Sequence, residues 1–292
     1  MSLNRLILID GTAVLYRAFF AIPELTAPSG RPTNALFGFI RMLRQMEAVW
    51  SPTHWTVVFD GGLSEERLEL HGDYKAQRPR MPDPLREQFE PVQEYLERAE
   101  VAWVRIEGEE ADDVIASLAA RFQDRADEVL LATTDKDLYQ LVGDACRIIP
   151  PAGKGGMMGA AEVVAKTGVP PEKIVDWLAL VGDASDNIPG VPGVGPKTAA
   201  RLLGAFGSIR GIWEHIGEVR GGKIREALSE NRPMVERNVA MVLLRRDIHG
   251  GPEWEATAVK PQDPVRLVPF FEEYGFKSMA DALRQGRLFG EE

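Results

Sequence analysis

The sequence predicts an α/β fold, a mostly parallel sheet with helices on both faces, followed by a helical domain. Three observations carry this. Short β-branched apolar runs alternate with helix-period segments through the first half. Acidic residues stand at or just past the ends of several of these runs, and from about Ala160 the strand signal stops and only helical segments follow. Alternation of this kind builds a parallel sheet covered on both faces. Such sheets bind ligands beyond the carboxyl ends of their strands, near the point where strand order reverses.

The first run, Arg5–Ile9, ends at Asp10. A helical segment at Asn34–Glu47 precedes the second run, Trp55–Phe59, which ends at Asp60. The stretch Gly61 to Asp83 then breaks the rhythm, being charged, poorly periodic and carrying Arg67, Tyr74, Lys75, Arg78 and Arg80. A segment this long without its own periodicity is functional or disordered, and a solvated loop also fits. Helix Pro84–Ala99 leads to the run Val101–Ile106, and helix Glu110–Phe122 to Val129–Thr133. The short helix Lys136–Leu141 leads to Arg147–Ile149. The glycine-rich Pro150–Gly159 reads as a flexible linker or as a β-hairpin turn. Helices are then expected at Ala161–Lys166, Pro171–Val181, Pro196–Phe206, Lys223–Ser229, Pro233–Leu244, Pro264–Glu273 and Ser278–Gln285.

Bulk composition is that of a globular protein. The 292 residues suffice for one large or two modest domains, and 45% apolar with 27% charged content is ordinary. No apolar run has the length of a membrane span, and the amino terminus lacks a signal-peptide layout. The leading Met1-Ser2-Leu3 is native or a cloning remnant. Cys146, the single cysteine, cannot make an internal disulfide, which fits a reducing cytoplasm. It reads as a small core residue rather than a nucleophile.

The chemistry lies in the acids. Asp10, Asp60, Glu110, Asp112, Asp113, Asp135, Asp137, Asp183 and Asp186 fall in LILIDG, WTVVFDGG, GEEADDV, TTDKDLYQL and GDASDNIPG. Bringing nine like charges together is strongly destabilising unless cations neutralise them. Oxygen-rich, histidine-free donor sets suit magnesium or manganese. Each motif also has a local explanation. Acids in the first turn of a helix at Glu110–Asp113 favour its dipole, and Asp135 and Asp183 can serve as N-caps. The net charge of −10, from 44 acidic and 34 basic residues, argues against nucleic acid only until the nine acids are set aside. What remains is −1.

The second signal is GVPGVGPKTAARLL. Gly190, Gly193 and Gly195 permit a tight turn that opens a helix at Pro196, where a missing N–H is no loss. Amides at such a start, with Lys197 beside them, can hold a phosphate. An ordinary helix-loop-helix turn is the alternative. A backbone contact of this kind positions a strand but reads no bases.

Together, DGTAVLYRAFFA, VVFDGG, YKAQR, GEEADD, TTDKDLYQL and GDASDNIPGVPGVGPKTAARLL resemble the 5′ nuclease (flap endonuclease) superfamily. The chain is most similar to the 5′→3′ exonuclease domain of bacterial DNA polymerase I, over nearly its whole length. The resemblance implies a PIN-like catalytic domain over residues 1–160, with an arch or clamp at about 61–83. It implies a helical DNA-binding domain over 161–292, with a helix-hairpin-helix at about 183–205. Asp10, Asp60, Glu110, Asp112, Asp135 and Asp137 would surround one Mg2+. Asp183 and Asp186 would complete a second position, with Asp113 linking the two, and Mn2+ would substitute. Lys75 and Arg78 match basic residues over the scissile phosphate. Arg17, Arg67, Tyr74 and the hairpin residues Gly190, Gly193, Gly195, Lys197 and Thr198 would contact DNA, and K+ can sit at the hairpin.

The implied enzyme is a monomeric, nucleoid-associated 5′→3′ exonuclease and 5′-flap endonuclease for primer removal and repair. It would act on DNA 5′ ends, flaps and junctions, and on RNA-primer ends. Two positions depart from the pattern: Glu66 and His71 stand where the family commonly has aromatics. The chain ends at Glu292 with no polymerase following, as a standalone relative or a trimmed piece would.

Overall fold

The computed structural model describes residues 3–152 and 155–286. Met1 and Ser2, Gly153 and Lys154 of the glycine-rich stretch, and residues 287–292 lie outside them. Five strands, β1 (Arg5–Asp10), β2 (His54–Phe59), β3 (Trp103–Arg105), β4 (Glu128–Ala132) and β5 (Cys146–Ile149), form one sheet in the order β3-β2-β1-β4-β5. Every neighbouring pair is parallel. All five expected runs are strands, with ends displaced by one or two residues. The chain builds outward from β1 through β2 to β3, then crosses back to lay β4 on the other side of β1. The order therefore reverses at β1/β4, where Asp10 ends a strand.

Alternation along the strands supplies two cores. Leu6, Leu8, Val58, Val129 and Leu131 enter one, and Ile7, Ile9, Val57, Phe59, Leu130 and Ala132 the other. A sheet buried on both faces reads as continuous apolar runs, which is why LILI and VLLA carry no polar alternation. The second core is covered by α1 (Gly11–Ala21), α2 (Asn34–Trp50) and α5 (Phe89–Arg98). Helix α1 was not expected, because GTAVLYRAFFA is apolar almost all round and its period is faint. The expected helix Pro84–Ala99 is two, α4 (Asp83–Arg86) and α5, with α3 (Glu65–Leu70) lying upstream. The break is occupied by buried Gln88. Its amide oxygen accepts from the N–H groups of Ala35 (2.8 Å) and Leu36 (3.1 Å), satisfying donors at the start of α2.

The first core continues from α6 (Ala111–Phe122) into α7 (Ala160–Thr167), α8 (Ile174–Val181), α9 (Pro196–Phe206), α10 (Ile209–Glu214), α11 (Gly222–Glu230) and α12 (Arg232–Val242). One apolar cluster thus joins sheet and helical half. At the far end of the glycine-rich stretch, Met158 lies antiparallel to β5 and exchanges both backbone hydrogen bonds with Ile148 (3.0 and 2.8 Å). That favours a turn over a free linker. Half-buried Cys146 has its thiol pushed up to about 12 by burial, which keeps it protonated and inert.

A single division at residue 160 needs correction. Helices α13 (Pro264–Glu273) and α14 (Lys277–Arg284) return to the amino-terminal half and pack on the second core. Phe270 and Phe271, both fully buried, lie 5.9 and 6.2 Å from the ring of Tyr95 on α5. Aromatic burial of this size outweighs chain proximity as a guide to which half a helix joins. Replacing Phe270 with Ala should cost about 3–5 kcal/mol in urea unfolding. It should destabilise the amino-terminal half along with the helix. An unchanged midpoint would show that α13 is not part of this core.

Candidate active site

The carboxyl edge of the sheet gathers acids from separate elements. Asp10 ends β1 and caps α1, Asp60 follows β2, and Asp112 lies in the first turn of α6. Asp135 and Asp137 follow β4, in the turn that opens a 3-10 helix. Local capping and site-building coexist here. One oxygen of Asp10 accepts from Ala13 N–H (2.9 Å), while its other oxygen faces the Thr133 hydroxyl (3.3 Å). Asp135 likewise accepts from Asp137 N–H (2.9 Å).

These five carboxylates act on one another. Asp112 is held well above the ordinary carboxylate value, by burial first and then by Asp135, Asp10, Asp137 and Asp60. Burial, with Asp60 and Asp135, raises Asp10 to about 7 against a hydrogen bond from Ala13. Burial and Asp135 raise Asp137 to about 8, against Lys136.

A second group joins from the helical half. Asp183 and Asp186 flank the 3-10 turn after α8, and one oxygen each of Asp137, Asp183 and Asp186 lie within 4.8 Å of one another. Lys136 Nζ donates to Asp183 at 2.6 Å; burial would raise that acid, but this bond and Ser185 hold it below its ordinary value. Buried Asp137 Oδ1 has no hydrogen-bond partner among the described residues. Clustered carboxylates without histidine, one with a buried oxygen that accepts no hydrogen bond and faces Lys136 Nζ at 3.9 Å, fit a hard divalent cation.

Glu110 stands apart from the first five. Lys75 Nζ donates to it at 2.5 Å and lies 3.6 Å from Asp186, while the Tyr74 hydroxyl bridges the same two acids (3.0 and 3.3 Å). Burial favours the neutral acid, but Lys75 and Arg67 outweigh it and keep Glu110 ionised. Arg78 reaches Asp186 from a half-exposed position. The segment 71–78 is laid along the acidic turn: Lys75 N–H donates to Asp186 O (3.0 Å), Gln77 to Ala184 O (2.6 Å), and Asn187 to Asp73 O (2.8 Å). His71, where an aromatic was expected, contacts Asn187 O through its ring nitrogen at 2.9 Å. It docks the segment without stacking.

Four expected roles need correction. Glu110 was expected around the first ion, but Lys75, Arg67 and the Tyr74 hydroxyl occupy its carboxylate. Asp113 is fully buried, and both its oxygens accept from Arg67 (2.5 and 2.9 Å), so it links no metal positions. Arg67 is 5% exposed and cannot reach DNA. Tyr74 is 3% exposed, with its hydroxyl spent on Glu110 and Asp186 rather than on a nucleic acid. Sequence reading did not single out Tyr16, half-buried one and a half turns along α1; burial and then Asp60 raise its hydroxyl while Arg78 lowers it.

The hairpin has the expected form. Val191 and Val194 bury in the core, Gly193 takes a left-handed turn (φ +79°), and Pro196 opens α9 below exposed Lys197. A Cβ on Gly190 would lie 2.0 Å from Val181 O, so only glycine permits this close approach. Thr198 N–H is spent on Gly195 O (2.9 Å) within the turn. Arg17 is exposed on α1 and makes no ion pair among the described residues.

Residues 5–168 match the family described as 5′-3′ exonuclease, N-terminal resolvase-like domain, and residues 169–265 match 5′-3′ exonuclease, C-terminal SAM fold. The chain belongs to the 5′-3′ exonuclease family. It is a nuclease with an acidic cluster that could hold a metal ion. It is 37% identical over 277 residues to the 5′-3′ exonuclease of Aquifex aeolicus strain VF5, spanning 95% of this chain and 94% of that one. It is 38% identical over 285 residues to DNA polymerase I of Bacillus caldotenax, spanning 96% of this chain but 32% of the polymerase. The nuclease thus spans about a third of its polymerase relatives. A T5 5′-exonuclease structure with bound zinc superposes with a TM-score of 0.69 at 25% identity, covering 82% of this chain and 89% of that one. No helix of the described residues is long and apolar enough to cross a membrane.

The raised carboxyls predict a pH dependence. Asp10 and Asp137 have folded values of about 7 and about 8 against an ordinary 3.8, so the native state binds more protons than the unfolded chain between these limits. Their contribution to stability is present below the unfolded value and is lost as pH rises through the folded ones. With chelator present, the nuclease should be less stable at high pH than at low pH across that window, by several kcal/mol in urea unfolding. Asp137→Asn should flatten the slope. A chelated wild type with equal stability at both ends would contradict the assignment.

Proposed function

We propose that this nuclease is a divalent-metal-dependent 5′→3′ exonuclease and structure-specific 5′-flap endonuclease that hydrolyses DNA phosphodiesters. The observation that carries the reading is the meeting of acids from both halves, with Asp137, Asp183 and Asp186 inside 4.8 Å beside the Asp10–Asp60–Asp112–Asp135 group. Two Mg2+ ions, with Mn2+ as substitute, would there activate water, bind the scissile phosphate and stabilise the departing 3′ oxygen. Asp10, Asp60, Asp112, Asp135 and Asp137 would hold one ion, and Asp137, Asp183 and Asp186 the other.

The remaining roles belong to the chain's own groups. Lys75 and Arg78, already seated on Glu110 and Asp186, supply fixed positive charge where the phosphoryl oxygens gain negative charge. The hairpin at Gly190–Lys197 holds a duplex backbone without reading bases, and it would hold K+, which would offset phosphate charge there. Exposed Arg17 steadies the strand end. Products carry a 5′ phosphate and a 3′ hydroxyl. The preferred substrates are 5′ ends, flaps and single/double-strand junctions, RNA-primer ends among them, as replication and repair generate.

A 5′-flap duplex labelled at each end, incubated with Mg2+, Mn2+ or chelator, tests this directly. Asp135→Asn and Asp186→Asn should each lower turnover by about 100-fold or more while leaving calcium-supported binding intact. Full magnesium-dependent activity in both variants would sink the assignment. Lys197→Ala should weaken duplex binding uniformly across sequences and reduce the slope of log affinity against log salt by about one. An unchanged salt slope would remove Lys197 from the phosphate contacts.

A further inference from the structure

The last turn of α12 and the connection leaving it run past the amino-terminal half, and side chains rather than a strand read their backbone. Arg67 Nε donates to Met241 O (2.8 Å), Gln140 Nε2 to Val242 O (2.9 Å), and Arg67 Nη2 to Leu243 O (3.4 Å). Leu244 N–H donates to Gln140 Oε1 (3.1 Å) and Arg245 N–H to Asp113 Oδ1 (2.9 Å). Upstream on α12, buried Asn238 donates to Ala179 O (3.1 Å) and Pro189 O (2.7 Å), the latter at the foot of the hairpin.

Arg67 is the hub. Besides Met241 and Leu243, its guanidinium grips both oxygens of Asp113 and lies 3.2 Å from Glu110 Oε2. Asp113 is in the first turn of α6, next to Asp112 and three residues from Glu110. A planar fork with five N–H groups can serve two carbonyls and two carboxylates at once, which an ammonium cannot. Holding such a pair in the interior costs desolvation on both sides and is weak as a source of stability. What it supplies is geometry.

We infer that Arg67, paired with Asp113, is a positioning residue that registers the acids on α6 with the segment 241–245, and through α12 with the hairpin. Arg67 also meets Glu110 at Oε2, the same oxygen that Lys75 and the Tyr74 hydroxyl reach, while Oε1 accepts from Ser64 N–H, so Arg67 helps fix the carboxylate on which those groups converge. The turnover arm of the test rests on the nuclease reading above; a metal-binding arm does not. In Arg67→Lys, kcat on a flap should fall by about 10-fold, with KM and calcium-supported binding within about twofold. Mn2+ binding without DNA, measured by calorimetry, should weaken by about fivefold. Arg67→Met and Asp113→Asn should each lower kcat by about 100-fold, and the double variant should be no worse than the poorer single, since both remove one interaction.

Thermal melts set a working temperature at which each variant is folded. If Arg67→Met does not fold, Arg67→Lys carries the test alone. Wild-type kcat and Mn2+ affinity in Arg67→Lys would overturn the inference, as would single losses that multiply in the double variant. Absence of wild-type turnover would count against the nuclease reading, and the ratio of Mn2+ affinities would then decide the role of Arg67.

Discussion

Mutual repulsion among carboxylates at the carboxyl edge of the sheet is the constraint that the rest of the structure answers. Parallel strands deliver Asp10, Asp60 and Asp135 to one edge, and α6 adds Asp112 to it. Burial makes these acids harder to ionise and each neighbouring charge adds to it, as the upward shifts of Asp10, Asp112 and Asp137 express. Bound divalent cations would relieve a region of this kind.

The cationic side chains around the edge divide the task. Lys136 meets Asp183, Lys75 meets Glu110 and Asp186, and Arg78 meets Asp186 from a partly exposed position. Arg67 lies deepest and faces away from solvent. Its partners are acids on one side and the backbone carbonyls of Met241 and Leu243, at the end of α12, on the other. Site and assembly are therefore the same problem. Asp183 and Asp186 belong to the helical half and are useful only when that half sits in register on the sheet. The shared apolar cluster and the Arg67–Asp113 pair set that register.

The strands were legible because both their faces are buried, so each reads as an uninterrupted apolar run between turn residues. The edge acids were legible because strand ends are fixed by those runs. The hairpin was legible in its glycines, one of which tolerates no side chain at all. Less could be read where structure depends on partners distant in sequence. Gln88 breaks an otherwise continuous helical pattern in order to cap α2, some fifty residues upstream. Phe270 and Phe271 have helical spacing, but nothing in that spacing says which half they cover.

The arch segment shows the same limit at the level of chemistry. Arg67, Tyr74 and Lys75 look alike in sequence, as polar groups in a charged stretch at set distances from Asp60. Only packing separated a clamp on the interior, a hydroxyl bridging two acids and an ammonium at the site. By itself, the sequence determined the parallel sheet, the acids at its edge, the hairpin and the family, because these follow from local periodicity and short motifs. The tertiary structure alone decided that Asp113 serves Arg67 instead of a metal, that His71 docks instead of stacking, and that the final helices return to the sheet. Those outcomes depend on which desolvated groups find partners across the fold, and no local spacing encodes that.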